Sequence, residues 1–198
     1  MHEKHEVDDE VDRVVRDSQW AKYQPWLRLQ ARLQIDSHFK GKFDESDIAQ
    51  QTMIEAWRAQ SDFRGQSEPE RLAWLRTILA RVLGHEIRRY RGTKKRDIAR
   101  ERSLQQSIAN SSQVLGQFVA TNSVTPSQIA QQQEAESELA TALERLPDEY
   151  REVIIRRNMQ MQTHEQIAEA LGKSAAAIRM VWIRALRRLK QEMNAQNE

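Results

Sequence analysis

Residues 163–193 read THEQIAEALGKSAAAIRMVWIRALRRLKQEM, and the order of end signals and apolar positions in this stretch decides the fold of the C-terminal part. Thr163 and Gln166 stand at capping-box spacing, where hydroxyl and amide each accept the other's unpaired backbone N–H. Ile167, Ala168 and Leu171 then share one helical face. Gly172 sits where a helix ends on a left-handed residue, and Ser174 is placed to cap the next helix. Ile178, Trp182, Ala185, Leu186 and Leu189 give that next helix an inner face. A short helix, a turn of about three residues and a longer helix in this order make a helix-turn-helix.

The outer face of the second helix points to its ligand. Arg179, Arg184, Arg187, Arg188 and Lys190 project outward, and residues 173–190 contain six bases and no acid. The first turn is built from Ala175, Ala176 and Ala177, small enough for close backbone approach to DNA. Arginine forks onto guanine O6 and N7, and the positive end of a helix suits a phosphate. The pattern therefore implies duplex DNA as ligand.

The net charge of +2 over 198 residues hides a further asymmetry. Residues 81–102 carry nine bases against three acids, whereas residues 1–12 carry six acids against one lysine. Two separated basic clusters on a near-neutral chain suggest two contacts with a polyanion. The chain has no cysteine, which excludes disulfide scaffolds, thiolate metal sites and cysteine nucleophiles. No apolar run approaches the roughly 18 residues of a membrane span, so membrane insertion is not expected. The acidic N-terminus is the reverse of a secretory signal, and a cytoplasmic location is expected.

Few glycines and prolines and a high charged fraction favour an all-α protein. Residues 105–133 hold no charged side chain and include Pro126, and they read as a linker with local structure around Val114, Leu115, Phe118 and Val119. The expected organisation is an acidic extension over 1–20, a helical domain over 21–104, a linker over 105–133 and the helix-turn-helix domain over 134–194. In the first domain, Trp26, Leu29 and Leu33 share one helix face, with Ile35 near its end. Ile48, Ala49, Thr52, Met53, Ala56 and Trp57 form the stripe of a second helix, with Ser46 as its expected N-cap. A third helix is expected from about Pro69 to about Tyr90, with Leu72, Leu75, Leu79 and Val82 inward, Trp74 and Ile78 flanking and Gly92 interrupting it. In the second, Leu139, Leu143 and Leu146 line a helix that Pro147 stops.

Taken in order, DESDIAQQTMIEAW, FRGQSEPERLAWLRTILA and the stretch from LPDEYREVII to RALRRLK resemble regions 2 and 4 of sigma-70-type factors. The missing middle domain resembles the extracytoplasmic-function group, and RLQID, SDIAQQT and RDIARERSL resemble its members abundant in planctomycetes. The resemblance covers about residues 23–104 and 134–193. It implies an initiation factor whose partners are bacterial core RNA polymerase and promoter DNA, with the linker threading between two promoter grips. A three-to-four-helix bundle for region 2 is implied. An anti-sigma factor is left open as a further partner.

The resemblance also distributes roles. Asp47, Gln50, Gln51 and Ile54 match the polymerase-facing positions, with Gln51 in place of the usual glutamate and Ile54 expected on the outer face. Phe63, Arg64 and the loop to Glu70 match the part that receives an unstacked base of the −10 element. Arg81 stands in place of an asparagine, and Arg88, Arg89 and Arg91 match the basic helix end that meets phosphates. Ser174, Ala175, Ala176, Arg179, Met180, Ile183, Arg184 and Arg187 match positions that meet the −35 element. The alternative is a free-standing helix-turn-helix regulator with an unrelated N-terminal interaction domain.

Enzyme chemistry finds no purchase. His85–Glu86 and His164–Glu165 each begin the H-E-x-x-H pattern, but Arg89 and Ala168 occupy the second histidine position. His2 and His5 could chelate a metal, but in an acidic arm of this composition they are expected to be solvated. No glycine-rich phosphate loop and no acid–base carboxylate pair is present, so no catalytic residue, metal site or cofactor is expected. Trp57, Trp74 and Trp182 are at core spacing and read as packing.

Overall fold

A computed structural model describes residues 20–35, 44–91, 98–122 and 129–195. Among them the regular structure is entirely helical, with eight α-helices. They are α1 (Gln24–Gln34), α2 (Glu45–Arg58), α3 (Glu68–Arg91), α4 (Ile98–Asn122), α5 (Ile129–Glu144), α6 (Asp148–Ile154), α7 (His164–Leu171) and α8 (Ala175–Asn194). No described helix is long and apolar enough to cross a membrane. The acidic arm with His2 and His5, together with Gly92, Lys94, Lys95, Arg96 and Pro126, lies outside the described residues. The chain divides into two compact units, Met1–Asn110 and Ser111–Glu198.

In the first unit α1 packs on α2, and α3 packs on both. Trp26, Leu27, Ile48, Met53, Leu72, Leu75 and Leu79 close the core, as the helical stripes require. Leu33 is only half-buried, whereas Leu27 and the neutral amide Gln30 are buried. Thr52 is buried without penalty because its hydroxyl donates to the Ile48 carbonyl at 2.7 Å.

Three local expectations are corrected here. Asp44, not Ser46, caps α2: it has extended φ/ψ, and its Oδ1 accepts the Ser46 N–H at 2.9 Å. Helix α3 begins at Glu68, within a residue of the expected start, so Pro69 takes its second position and not its first, behind a capping box of Ser67 and Glu70. Glu70 Oε2 accepts from the Ser67 N–H at 3.0 Å, while Ser67 Oγ accepts the Glu70 N–H at 3.4 Å. Residues 98–122, much of the expected linker, are one continuous helix, and the division between the units falls within it. The reason is physical. Pro126 lies beyond its end, and Ile108, Ser112, Leu115 and Phe118 recur at helical spacing and are all buried. Gln106 adds an i,i+4 amide bond to Asn110 at 3.0 Å.

In the second unit α5, α6 and α7 each pack against α8. Leu139, Leu143 and Leu146 are buried on and after α5. Pro147 is extended at φ −51°, ψ 144°, which turns the chain into α6 with Asp148 and Glu149 in its first turn.

Candidate nucleic-acid interface

The helix-turn-helix of the second unit is fixed at each end signal. The Thr163 N–H donates to Gln166 Oε1 at 2.8 Å, and the Gln166 N–H donates to Thr163 Oγ1 at 3.2 Å. Gly172 is left-handed at φ 65°, ψ 35° and closes α7. The Lys173 N–H returns to the Ala168 carbonyl at 2.9 Å, and the Gly172 N–H to Glu169 at 3.4 Å. That pair of bonds is a Schellman closure, satisfying carbonyls the helix leaves open. Ser174 Oγ accepts the Ala177 N–H at 3.2 Å and starts α8.

Val153, Ile167, Ala168 and Ile178 form the core beneath the turn, with Leu171, Ala175, Val181 and Trp182 packed on it. Trp182 serves as packing and also donates its Nε1–H to Asn158 Oδ1 at 3.0 Å, tying α8 to the segment before α7. That segment contains a π-helical turn, Ile155–Met159, followed by Met161 at φ 56° and 71% exposed. Neither feature has a signal in the composition, since a π-turn arises from how the chain fits its neighbours. The His164 ring meets Trp182 edge-on at 5.5 Å. Burial lowers the His164 pKa, helped by the positive charges of Arg157 and Arg179.

The core fixes which residues α8 presents. Ser174, Ala176, Arg179, Met180, Arg184 and Arg187 are exposed, and Ile183 is half-exposed. Ala175 is half-buried against the core, so it supports the turn as well as bordering the surface. Arg188 is engaged by Glu192 at 2.6 Å. The result is a face of three exposed arginines around Met180, which can take phosphates and base edges.

The first unit brings its expected site residues onto two neighbouring helices and one loop. Asp47, Gln50 and Gln51 are exposed on α2. Ile54 departs from expectation: it is 9% exposed and belongs to the buried set, so it offers little apolar surface to a partner. The expected outer face of α2 is therefore polar only. On α3, Arg81, His85 and Arg89 are exposed and Arg88 is half-buried, all on one helical face. Arg81 lies 3.9 Å from Glu55 of α2, and Arg89 lies 3.3 Å from Glu86. Arg91 ends α3. An open cleft of about 470 Å³ runs between α2 and α3, lined by Asp44, Asp47, Gln51 and Glu55 on one wall and His85, Glu86 and Arg89 on the other.

The loop before α3 is held by aromatic packing. Phe63 is half-buried with its ring centroid 5.2 Å from Trp74, and Trp74 is 5.5 Å from Trp20. The Arg71 guanidinium lies over both the Trp20 ring, at 5.5 Å, and the Phe63 ring, at 5.6 Å. Gly65 is required here by space: an added Cβ would stand 2.5 Å from the Phe63 ring and 2.8 Å from Glu70 Cβ. Trp20 is buried, although it falls in the stretch read as an acidic extension. Besides Tyr23, at 6.0 Å between ring centroids, it meets Trp74 54 residues away in sequence, a contact that no local pattern reveals. Neighbouring Tyr23 donates its hydroxyl to Glu68 at 2.8 Å at the start of α3. Arg64 is exposed at the loop surface.

Residues 142–191 match the family model for sigma-70, region 4. The match runs from the end of α5 through α7 and the turn and covers all but the last three residues of α8. No curated protein and no solved structure matches the chain.

Proposed function

From a C-terminal unit that carries a sigma-70 region 4 domain, a DNA-binding helix-turn-helix of transcription factors, we propose that the whole chain is a two-domain sigma factor of the extracytoplasmic-function kind. The single observation that carries this reading is the matched, fully capped helix-turn-helix with Arg179, Arg184 and Arg187 exposed on its second helix. In the proposal, α8 reads the −35 element in the major groove while arginines at its edges hold phosphates. The polar α2 face of Asp47, Gln50 and Gln51 binds core polymerase. The Phe63 loop and the basic face of α3, with Arg64, Arg81, Arg88, Arg89 and Arg91, engage the −10 element.

The chemistry on each surface supports these assignments. A helix face of carboxylate and amides, lacking the apolar contribution of Ile54, suits a polar protein partner. A loop braced by Trp74 and Trp20 keeps Phe63 in place beside exposed Arg64, a fit arrangement for an unstacked base. The factor itself performs no bond chemistry; the polymerase does. It acts in the cytoplasm. A free-standing regulator would have no use for the α2 face, and that separates the two readings. The test is equilibrium association of the full chain with purified bacterial core polymerase. Saturable one-to-one binding, weakened by Asp47→Arg, is expected. Absence of any association would leave the regulator reading in its place.

A further inference from the structure

Met180 is the odd residue on the DNA-facing surface of α8. It is 50% exposed between Arg179 and Arg184, and among the described residues only Tyr90 and Met161 are comparably exposed large hydrophobics. At roughly 100° per residue, Ala176, Met180, Ile183 and Arg187 fall on one line directly opposite buried Ile178, Ala185 and Leu189. Arg179 and Arg184 flank that line on its two sides. The strip is thus apolar along its centre over Ala176, Met180 and Ile183, with Arg187 closing that line and cations along both edges.

The inventory of donors and acceptors on this surface is equally selective. Residues 175–190 contain no Asn, Gln, Asp or Glu. Adenine is read in the major groove by a forked amide, and cytosine by a side-chain acceptor on its amino group. Neither reader is present. Ser174 Oγ accepts the Ala177 N–H and keeps its hydroxyl proton as a donor, which guanine O6 and N7 and thymine O4 accept. What remains is arginine, which forks onto guanine, and apolar surface, which fits the 5-methyl group of thymine. Methionine suits this contact because its unbranched, polarizable thioether adapts to an irregular partner.

We propose that Met180, with Ala176 and Ile183 beside it, reads thymine 5-methyl groups in the major groove next to a guanine held by Arg179 or Arg184. This rests on the DNA-binding reading of the helix-turn-helix and deepens it by naming the bases. The recognised element is specified by guanine and thymine on the contacted strand. Adenine and cytosine enter it only as their partners.

The test uses the full chain and a duplex pool randomised over about ten base pairs, one helical turn. The most enriched duplex is remade with deoxyuridine at each thymine in turn, which removes only the methyl group. Burying one methyl is worth about 0.8 kcal/mol, so at 1.4 kcal/mol per factor of ten the dissociation constant should rise about four-fold at one or two positions. Met180→Ala should bind the thymine and deoxyuridine duplexes equally, with its thermal melting unchanged because the side chain is exposed. Met180→Gln should shift the preference at that position from thymine toward adenine. The proposal is overturned if no thymine responds, if Met180→Ala keeps the difference, or if no sequence is enriched. Selection requires no polymerase, so failure to bind core polymerase would remove the sigma reading and leave this contact standing.

Discussion

The two units reach a defined surface by opposite routes. In the helix-turn-helix unit the signals that start and stop the helices are short in sequence: Thr163 with Gln166, Gly172 and Lys173 with α7, Ser174 with Ala177. In the first unit the loop carrying Phe63 depends on residues drawn from afar, Trp20 and Trp74 with Arg71 between the rings. Local signals fix backbone direction, whereas side-chain assembly fixes a loop. A surface that is the outward half of a helix, as on α8, draws mainly on the first, with the core of Val153, Ile167 and Ile178 setting which half faces out. A braced loop needs the second.

Breaking each route should separate them. The largest effect is expected for Ile178→Ala, which opens a cavity in the small core of Val153, Ile167 and Ala168. A loss of about 2–5 kcal/mol is expected. Amide hydrogen exchange should accelerate over residues 163–194 much more than over 44–91. Uniform acceleration would mean the two units unfold as one.

The two contrasting glycines sharpen the comparison. Gly65→Ala must displace the Phe63 ring, and overpacking of this kind costs about 1–3 kcal/mol. Gly172→Ala meets nothing within 4 Å, so its cost is the left-handed backbone alone, about 1–2 kcal/mol. Urea unfolding with Gly172→Asn as a third variant distinguishes them: asparagine tolerates φ 65° and should recover part of the loss at 172 but none at 65. Equal recovery at both sites would contradict the spatial role of Gly65.

Removing the cap with Thr163→Ala should cost about 1 kcal/mol, since it orphans the Gln166 N–H. Denaturant midpoints should show Thr163→Ser nearly neutral.

The smallest effects are in pH. Three hydrogen bonds from Gln66 and Ser67 hold the Glu70 carboxyl below its usual range. A depressed carboxyl contributes stability that is complete above its unfolded pKa, about 4.3, and is lost as pH falls through the folded value. His164 is also lowered, by burial and then by Arg157 and Arg179. Its neutral form is favoured in the fold, so that contribution is complete above about 6.5 and declines as pH falls toward the folded pKa. On acidification the helix-turn-helix unit should therefore weaken first, and the α3 start later. Urea unfolding of the full chain against pH checks this: loss of stability should begin as pH falls below about 6.5, and stability constant down to about 4.3 would contradict it.

The same contrast explains what was legible. The fold class, the helix-turn-helix, its two caps and Gly172 stand in consecutive residues, and residues 142–191 match a known domain. The Ser67–Glu70 box is equally local, but Pro69 within it is itself a helix-start signal and points to a start one residue later. The helix over 98–122 was hidden by composition, because an uncharged Gln- and Ser-rich stretch resembles a linker even when its apolar residues keep helical spacing. Ile54 lies away from the main α2 stripe, so periodicity alone placed it outward, yet it is buried. The burial of Trp20 rests on Trp74 and Arg71 of α3 as well as on neighbouring Tyr23, and the distant pair leaves no local signal.

Run-off transcription tests the central claim most directly: full chain plus purified bacterial core polymerase on templates with randomised upstream DNA. Discrete start sites that require the chain, share a common upstream element and weaken with Arg179→Ala are expected. Transcription unchanged by adding the chain, despite binding of the same duplexes, would contradict it.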